Sequence, residues 1–296
     1  VSEPLLVEVR RNGVAEAVHR VHAVAVLDGA VVETAGDPSF TCFMRSASKP
    51  LQALPLVRSR DDLPTDELAI ACASHRDTPE QLAAVRALLA RAEATEDDLE
   101  LGSQEGRPSQ RIHNNCSGNH AGMLALCRAH GWPTQDYRLP DHPVQRACRD
   151  VHAEAAQLDA DAIPTGTDGC GIVTFALPLE RMAHTYSRLE SLPGGDRVAA
   201  AMRDRPDLVG GPDGVDCNLM RAARGWLAKG GAEGLLCAAG PGGLGIALKA
   251  EDGTSRGHGP ALAAFLARLG VDVPELASVP VLNTRGEQVG RLAARC

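Results

Sequence analysis

The sequence predicts an α+β fold in which one antiparallel sheet is drawn from both ends of the chain and a helical region is inserted between them. Three observations predict it. The first 35 residues alternate like strands, the middle repeats its apolar residues with a helical period, and the closing third returns to strands followed by a helix.

At the amino end, Leu5 to Arg10 alternates, Asn12-Gly13 is a hairpin turn, and His22 to Leu27 and Val31 to Thr34 flank a second turn at Asp28-Gly29. This predicts a twisted antiparallel ribbon. From Arg45 to Val57, helix formers follow Ser46, with Pro50 and Pro55 interrupting them. A helix starting near Ser46 would hold Pro50 in its first turn, where a missing amide donor costs little, and would put Lys49 about one turn along. Helical periodicity returns at Thr65 to Cys72, Thr78 to Ala94, Asn119 to His130 and His142 to Leu158, between polar, glycine-rich loops. The closing third reads as a helix over Asp216 to Ala228, strands over Gly234 to Ala239 and Gly243 to Ala250, a turn at Asp252-Gly253 and a helix over Pro260 to Leu269. No repeat, low-complexity tract or long linker divides the chain. A single domain over residues 1–296 is therefore expected, its sheet from about 1–40 and 230–296 and its helical region at about 45–228.

Composition narrows the function. A net charge of -8 argues against nucleic acid or an anionic membrane as partner, because counterion release needs clustered cations. Aromatic residues at 3% leave little for base stacking. No apolar run reaches the roughly 20 residues that span a bilayer, and no signal-peptide pattern opens the sequence, so a cytoplasmic location is expected. Nine scattered cysteines, an odd number with no C-x-x-C pair, do not read as a disulfide framework, a zinc ribbon or a redox motif.

Lysine is scarce: Lys49, Lys229 and Lys249 stand against 27 arginines. A guanidinium keeps its proton in a protein, whereas a buried amine can be neutral near pH 7 and accept one. Two of the three sit in suggestive contexts, Ser46-Ala-Ser-Lys49 reading S-x-x-K and Lys229-Gly-Gly231 reading K-x-G. A serine hydroxyl becomes a useful nucleophile when a nearby base takes its proton, and amides at a helix start can hold an oxyanion. Ser46 with Lys49 is thus a candidate acyl-transfer pair. The order S-x-x-K then K-x-G is the pattern of penicillin-recognising enzymes, and Ser117-Gly-Asn119 supplies an S-x-N between them.

The runs Cys-Phe-Met-Arg-Ser-Ala-Ser-Lys-Pro-Leu-Gln (42–52), Ala-Ser-His (73–75), Asn-Asn-Cys-Ser-Gly-Asn-His-Ala-Gly-Met-Leu (114–124), Thr-Asp-Gly-Cys-Gly (167–171) and Leu-Val-Gly-Gly (208–211) resemble the rhizobial-type, or class 3, L-asparaginase family, also called asparaginase II. Residues 229–248 are also similar to the closing segment of the serine-dependent glutaminases. The resemblance implies a serine β-lactamase-like fold, a small amino-acid substrate, a homodimer, and attack of Ser46 on the side-chain amide of asparagine with Lys49 as base. It further implies a second serine and lysine at Ser74 and Lys229, which relay protons to departing ammonia. Ser117 remains a rival to Ser74. Lys249 takes no role, and its context suits a solvent-facing strand position.

The resemblance assigns Asp168, in the glycine-rich turn with Gly169, to the substrate's α-ammonium group; His75 is a candidate because it follows Ser74, Ser117 because of the S-x-N motif, and Asn119 as a polar contact to substrate if no metal is held. It also implies zinc held by Cys116, Cys170 and a lysine in a C-S-G-K-H block. Here that block reads Cys-Ser-Gly-Asn-His, so Asn119, a neutral amide, stands where the family has an amine. Two thiolates and a water would hold zinc weakly. Two other readings stay open: a penicillin-binding or β-lactamase-like serine hydrolase, and a non-catalytic amino-acid-binding relative. Preference for asparagine over glutamine turns on one methylene, worth only about 1–3 kcal/mol, and is not set by the sequence.

Overall fold

The computed structural model describes residues 2–295. Strands β1 (Leu5–Arg11), β2 (Val14–Leu27) and β3 (Ala30–Ala35) come first. The turns between them place Asn12, Gly13, Asp28 and Gly29 at φ of 45°, 84°, 51° and 79°. Two successive left-handed residues match the twist of the flanking strands, so Asn-Gly and Asp-Gly specify both hairpins. Then follow β4 (Thr41–Phe43), α1 (Lys49–Gln52), α2 (Leu54–Ser59), α3 (Thr65–Ala71), α4 (Pro79–Arg91), α5 (Ser117–His130) and α6 (Pro143–Ala156). Next are β5 (Thr165–Thr167), β6 (Val173–Pro178), α7 (Leu179–Arg188), α8 (Gly195–Asp204), α9 (Pro206–Gly210) and α10 (Val215–Ala222). The chain closes with β7 (Leu227–Gly231), β8 (Leu235–Gly240), β9 (Leu244–Ala250), α11 (His258–Arg268), β10 (Ser278–Leu282) and β11 (Gln288–Ala294).

The fold is mixed, and its main sheet is antiparallel and built from both ends of the chain. Its order is β10-β11-β1-β2-β9-β8-β7, with β3 also paired to β2. Successive residues serve opposite faces. Val24, Val26, Leu235, Cys237 and Ala247 pack into the core shared with the helical region, while Ala23, Ala25, Leu236, Ala238, Ile246 and Leu248 pack under α11. Because both faces are covered, β8 is buried at every position and reads as a continuous apolar run. On α11, Leu262, Phe265 and Leu266 are fully buried, and truncating Phe265 to alanine would cost about 3–5 kcal/mol.

Three expectations need correction. The helix expected over Asp216 to Ala228 stops at Ala222; Gly225 turns the chain at φ 85°, and Leu227 and Ala228 pair with Ala239 and Ala238 in β7. Lys229 therefore sits on the edge strand of the sheet. Ser46 does not start an α-helix but lies in a 3-10 turn, Arg45–Ser48, and α1 begins at Lys49. Lys249 is not solvent-facing: it is 6% exposed, its Nζ donates to the Ala250 carbonyl at 2.6 Å and lies 5.6 Å from the Phe40 ring centroid. A second small sheet, β4-β6-β5, was not readable from period, and it buttresses the Ser46 turn.

Candidate active site

Strand β4 leads into that turn. The Met44 amide donates to the Phe175 carbonyl at 2.8 Å, and the next residue, Arg45, adopts φ 50°. A left-handed arginine is uncommon and must be held in place. Its amide donates to Thr174 Oγ1 at 3.1 Å, and its Nε donates to Asp168 Oδ1 at 2.8 Å. Tyr186 Oη donates to the Ala47 carbonyl at 2.6 Å and ties the far side of the turn to α7. Ser46 is thereby presented, half-buried, to a cavity of about 470 Å³ that Ser74 and Lys229 also line.

Lys49 and Lys229 are each 1% exposed. Lys49 Nζ donates to the Ala73 carbonyl at 2.6 Å, to Ser74 Oγ at 3.2 Å and to Cys116 Sγ at 3.3 Å. Lys229 Nζ donates to Ser74 Oγ at 3.0 Å and to the Gly230 carbonyl at 2.8 Å. Ser74 is itself fixed by its amide, which donates to the Val209 carbonyl at 2.9 Å. One hydroxyl therefore bridges two buried amines that come from α1 and from the sheet edge. Among the described residues, no hydrogen bond joins Ser46 Oγ to Lys49 Nζ.

Burial lowers the Lys229 pKa to about 8; the Asp216 carboxylate, 3.8 Å away, opposes that fall, and the Lys49 charge adds to it. Cys116 is lowered to about 6, chiefly by its hydrogen bond with Cys170 and against its own burial, with Lys49 helping. The Cys170 thiol is pushed up as the donor of that pair and by burial.

The other expected residues are placed differently. Asp168 is engaged by Arg45 and by the Gly169 amide at 2.6 Å, and neither Asp168 nor Gly169 lines the cavity. His75 lines the cavity, but its Nε2 is bonded to Ser117 Oγ at 2.8 Å, and burial drops its pKa to about 3, so the ring is neutral. Ser117 is fully buried, donates to the Ile112 carbonyl at 2.8 Å and is not part of the cavity wall. Its hydroxyl is bonded within the scaffold, whereas Ser74 lines the cavity with Ser46. Asn119 also lies off the wall, with Nδ2 donating to the Ala71 carbonyl at 3.4 Å and Oδ1 buried without a partner.

As a metal site the residues do not fit. Cys116 and Cys170 provide two sulfurs, but no group of three His, Cys, Asp or Glu side chains gathers among the described residues. Structural zinc takes four ligands and catalytic zinc three. Lys49, hydrogen-bonded to Cys116, already places an amine against the sulfur that a metal would need.

Period and motif reading missed the polar wall opposite Ser46. Arg76, Arg107, Asp213, Asp216 and His258 line the cavity. The available signal was Gly-Gly-Pro-Asp-Gly-Val-Asp at 210–216, a glycine-rich loop with two carboxylates. A roomier hollow of about 670 Å³ lies beside Tyr186 and Gly242; of its four charged residues, Glu190 and Arg203 are paired with each other at 2.7 Å, and Asp204 and Arg224 are the other two. The chemistry gathers in the smaller cavity.

Residues 7–294 match the family described as L-asparaginase II, and the chain belongs to that family. No curated protein sequence matches the chain. Among solved structures, the native form of Mglu aligns with a TM-score of 0.49 and 14% identity, over 86% of this chain and 65% of that one. This chain thus spans just under two thirds of the length of that structure. The native form in 4.3 M NaCl aligns with a TM-score of 0.39 and 14% identity, over 86% and 62% of the two chains. A further Mglu structure gives 0.38 and 15% over 86% and 68%. No helix among the described residues is long and apolar enough to cross a membrane.

Proposed function

We propose that the chain is an L-asparaginase, hydrolysing the side-chain amide of L-asparagine to L-aspartate and ammonia through an acyl-enzyme on Ser46. The observation that supports this most is the hold of Lys49 and Lys229 on Ser74 Oγ, at 3.2 and 3.0 Å, beside a cavity that Ser46 also lines. Ser46 Oγ bonds to the amide carbon as its proton passes to Lys49. The C–N bond breaks as Ser74 hands a proton to the departing nitrogen and is reprotonated from the lysine pair. Water then attacks the ester and gives a proton to Lys49, the bond to Ser46 Oγ breaks, and that proton passes to Ser46. The amides of Ser46 and Ala232, two residues of the cavity wall, are the candidate oxyanion donors. No step runs through a metal, since the donor set is too small.

The family supports the amide substrate, and the same resemblance supports a serine β-lactamase-like fold and a homodimer as parts of the proposal, to which the sequence pattern adds one domain over 1–296 and a cytoplasmic location. The penicillin-type alternative has less support, because Ser117 and Asn119, its middle motif, lie off the wall. Ammonia release assayed on L-asparagine, L-glutamine and their D-isomers tests the reading. Release from L-asparagine that is lost in Ser46→Ala is expected; covalent labelling by a penicillin without ammonia release would overturn it.

A further inference from the structure

The mechanism above leaves unused the buried carboxylate of the cavity wall. Asp216 is 7% exposed, lines the same cavity as Ser46, and stands on the first turn of α10 facing β7. Its Oδ1 accepts from the Cys217 amide at 3.0 Å, and its Oδ2 accepts from the Gly230 amide at 3.3 Å while lying 3.8 Å from Lys229 Nζ. The loop before it is shaped around this carboxylate. A Cβ on Gly210 would lie 2.0 Å from Asp216 Oδ1, and one on Gly214 would lie 2.4 Å from the same atom. Two glycines thus leave room for a carboxylate at a place where burying an uncompensated charge would be costly.

We infer that Asp216 is a positioning residue for Lys229: clamped between the Gly210–Gly214 loop and β7, it aims the Lys229 amine at Ser74 and keeps that amine charged as a proton donor. The inference rests on the amidohydrolase reading for its catalytic meaning, while the pairing itself does not. Around Lys229 the charged and titratable groups are Asp216 from α10, Lys49 from α1, Cys116 ahead of α5 and Cys72 after α3. Asp216 is the nearest carboxylate among them, and it counters burial, which pulls the Lys229 pKa down to about 8. His258, whose own pKa is lowered by burial, faces Asp216 from α11.

The test uses the full chain with isotope-labelled lysine, in which only Lys49, Lys229 and Lys249 give signals. Lys229→Arg assigns the Lys229 signal, and NMR then follows its titration. In Asp216→Asn, which keeps shape and loses charge, the Lys229 midpoint should fall by roughly one to three pH units, the range for an opposite charge within about 4–6 Å. The alkaline limb of kcat/KM should move down by the same amount. Gly214→Ala, whose backbone φ of -70° suits alanine, keeps every charge; its Cβ would lie 2.4 Å from Asp216 Oδ1 and 2.9 Å from the Gly210 carbonyl oxygen, so it displaces the carboxylate together with the Gly210 end of the loop, and it should shift the midpoint in the same direction. That variant carries the test if Asp216→Asn does not fold. An unmoved Lys229 midpoint in a folded variant overturns the inference. A moved midpoint without ammonia release from any amide would instead overturn the proposed reaction and leave the pairing intact.

Discussion

Arg45 Nε donates to Asp168 Oδ1 at 2.8 Å, so the carboxylate that the resemblance assigns to the substrate's ammonium group also fastens the residue beside Ser46. Arg45 is left-handed at φ 50°, and without that anchor the Ser46 turn can relax toward a commoner backbone conformation. Asp168→Ala is therefore expected to displace the nucleophile rather than weaken amino-acid binding. A misplacement of about 1 Å can cost about 100-fold. Steady-state kinetics on L-asparagine should show that loss in kcat with KM little changed. A raised KM at unaltered kcat would return Asp168 to the substrate.

Lys49 is buried against three acceptors, the Ala73 carbonyl, Ser74 Oγ and Cys116 Sγ, all within 3.3 Å. Arginine there retains the charge but cannot accept a proton. General-base catalysis is worth about 100- to 10,000-fold, so Lys49→Arg should lose activity within that range while still folding. Circular dichroism alongside the ammonia assay separates the two effects. Activity near that of the parent chain would end the role of Lys49 as base.

Much of the fold was legible where local chemistry decides structure. Asn12-Gly13 and Asp28-Gly29 select left-handed turns on their own, and β8 and β9 are apolar enough to announce themselves. The tail of α10 was not legible, because Ala222 to Ala228 fits a helical period and only Gly225, left-handed at φ 85°, breaks it. Strands β4 and β6 carry the Arg45 turn, yet β4 is three residues long and owes its form to pairing with β6 across more than 130 positions of chain. In the site, Ser46, Lys49, Ser74 and Lys229 were readable as reactive types in motifs. Asp216 was not, since its meaning lies in what the glycines at 210 and 214 leave room for. Lys249 shows the reverse: a residue read as surface is buried by Phe40, which the sequence alone gives no reason to place there.

The metal question has a direct readout. Cys116 and Cys170 offer two sulfurs, and where the family resemblance places an amine this chain has the neutral amide of Asn119, whose buried Oδ1 has no partner. Protein purified without added zinc should hold far less than one equivalent, and a chelator should leave ammonia release unchanged. Asn119→Lys supplies the missing donor and should raise zinc content, measured by elemental analysis. A full equivalent of zinc in the parent chain would refute the reading of this site as short of ligands.

Acid should destabilise the fold through three histidines buried in the helical region. His75 and His120 are pulled down to about 3 and His152 to about 4, in each case chiefly by burial. The unfolded chain takes up these protons near the ordinary histidine value of about 6.5, while the folded chain refuses them. Between about pH 6.5 and 4 the unfolded state thus binds more protons, so stability is complete above that window and falls as pH drops through it. Each histidine contributes a slope of about 1.4 kcal/mol per pH unit once the unfolded form is fully protonated. His152 stacks on Phe175 with ring centroids 4.1 Å apart, and its buried Nε2 has no partner, so it can be replaced away from the candidate site. Urea unfolding of the parent chain should show a lower midpoint at pH 5 than at pH 7. In His152→Phe that difference should shrink by one histidine's share. An equal difference in both proteins would show that His152 is already protonated in the folded state, contrary to its burial.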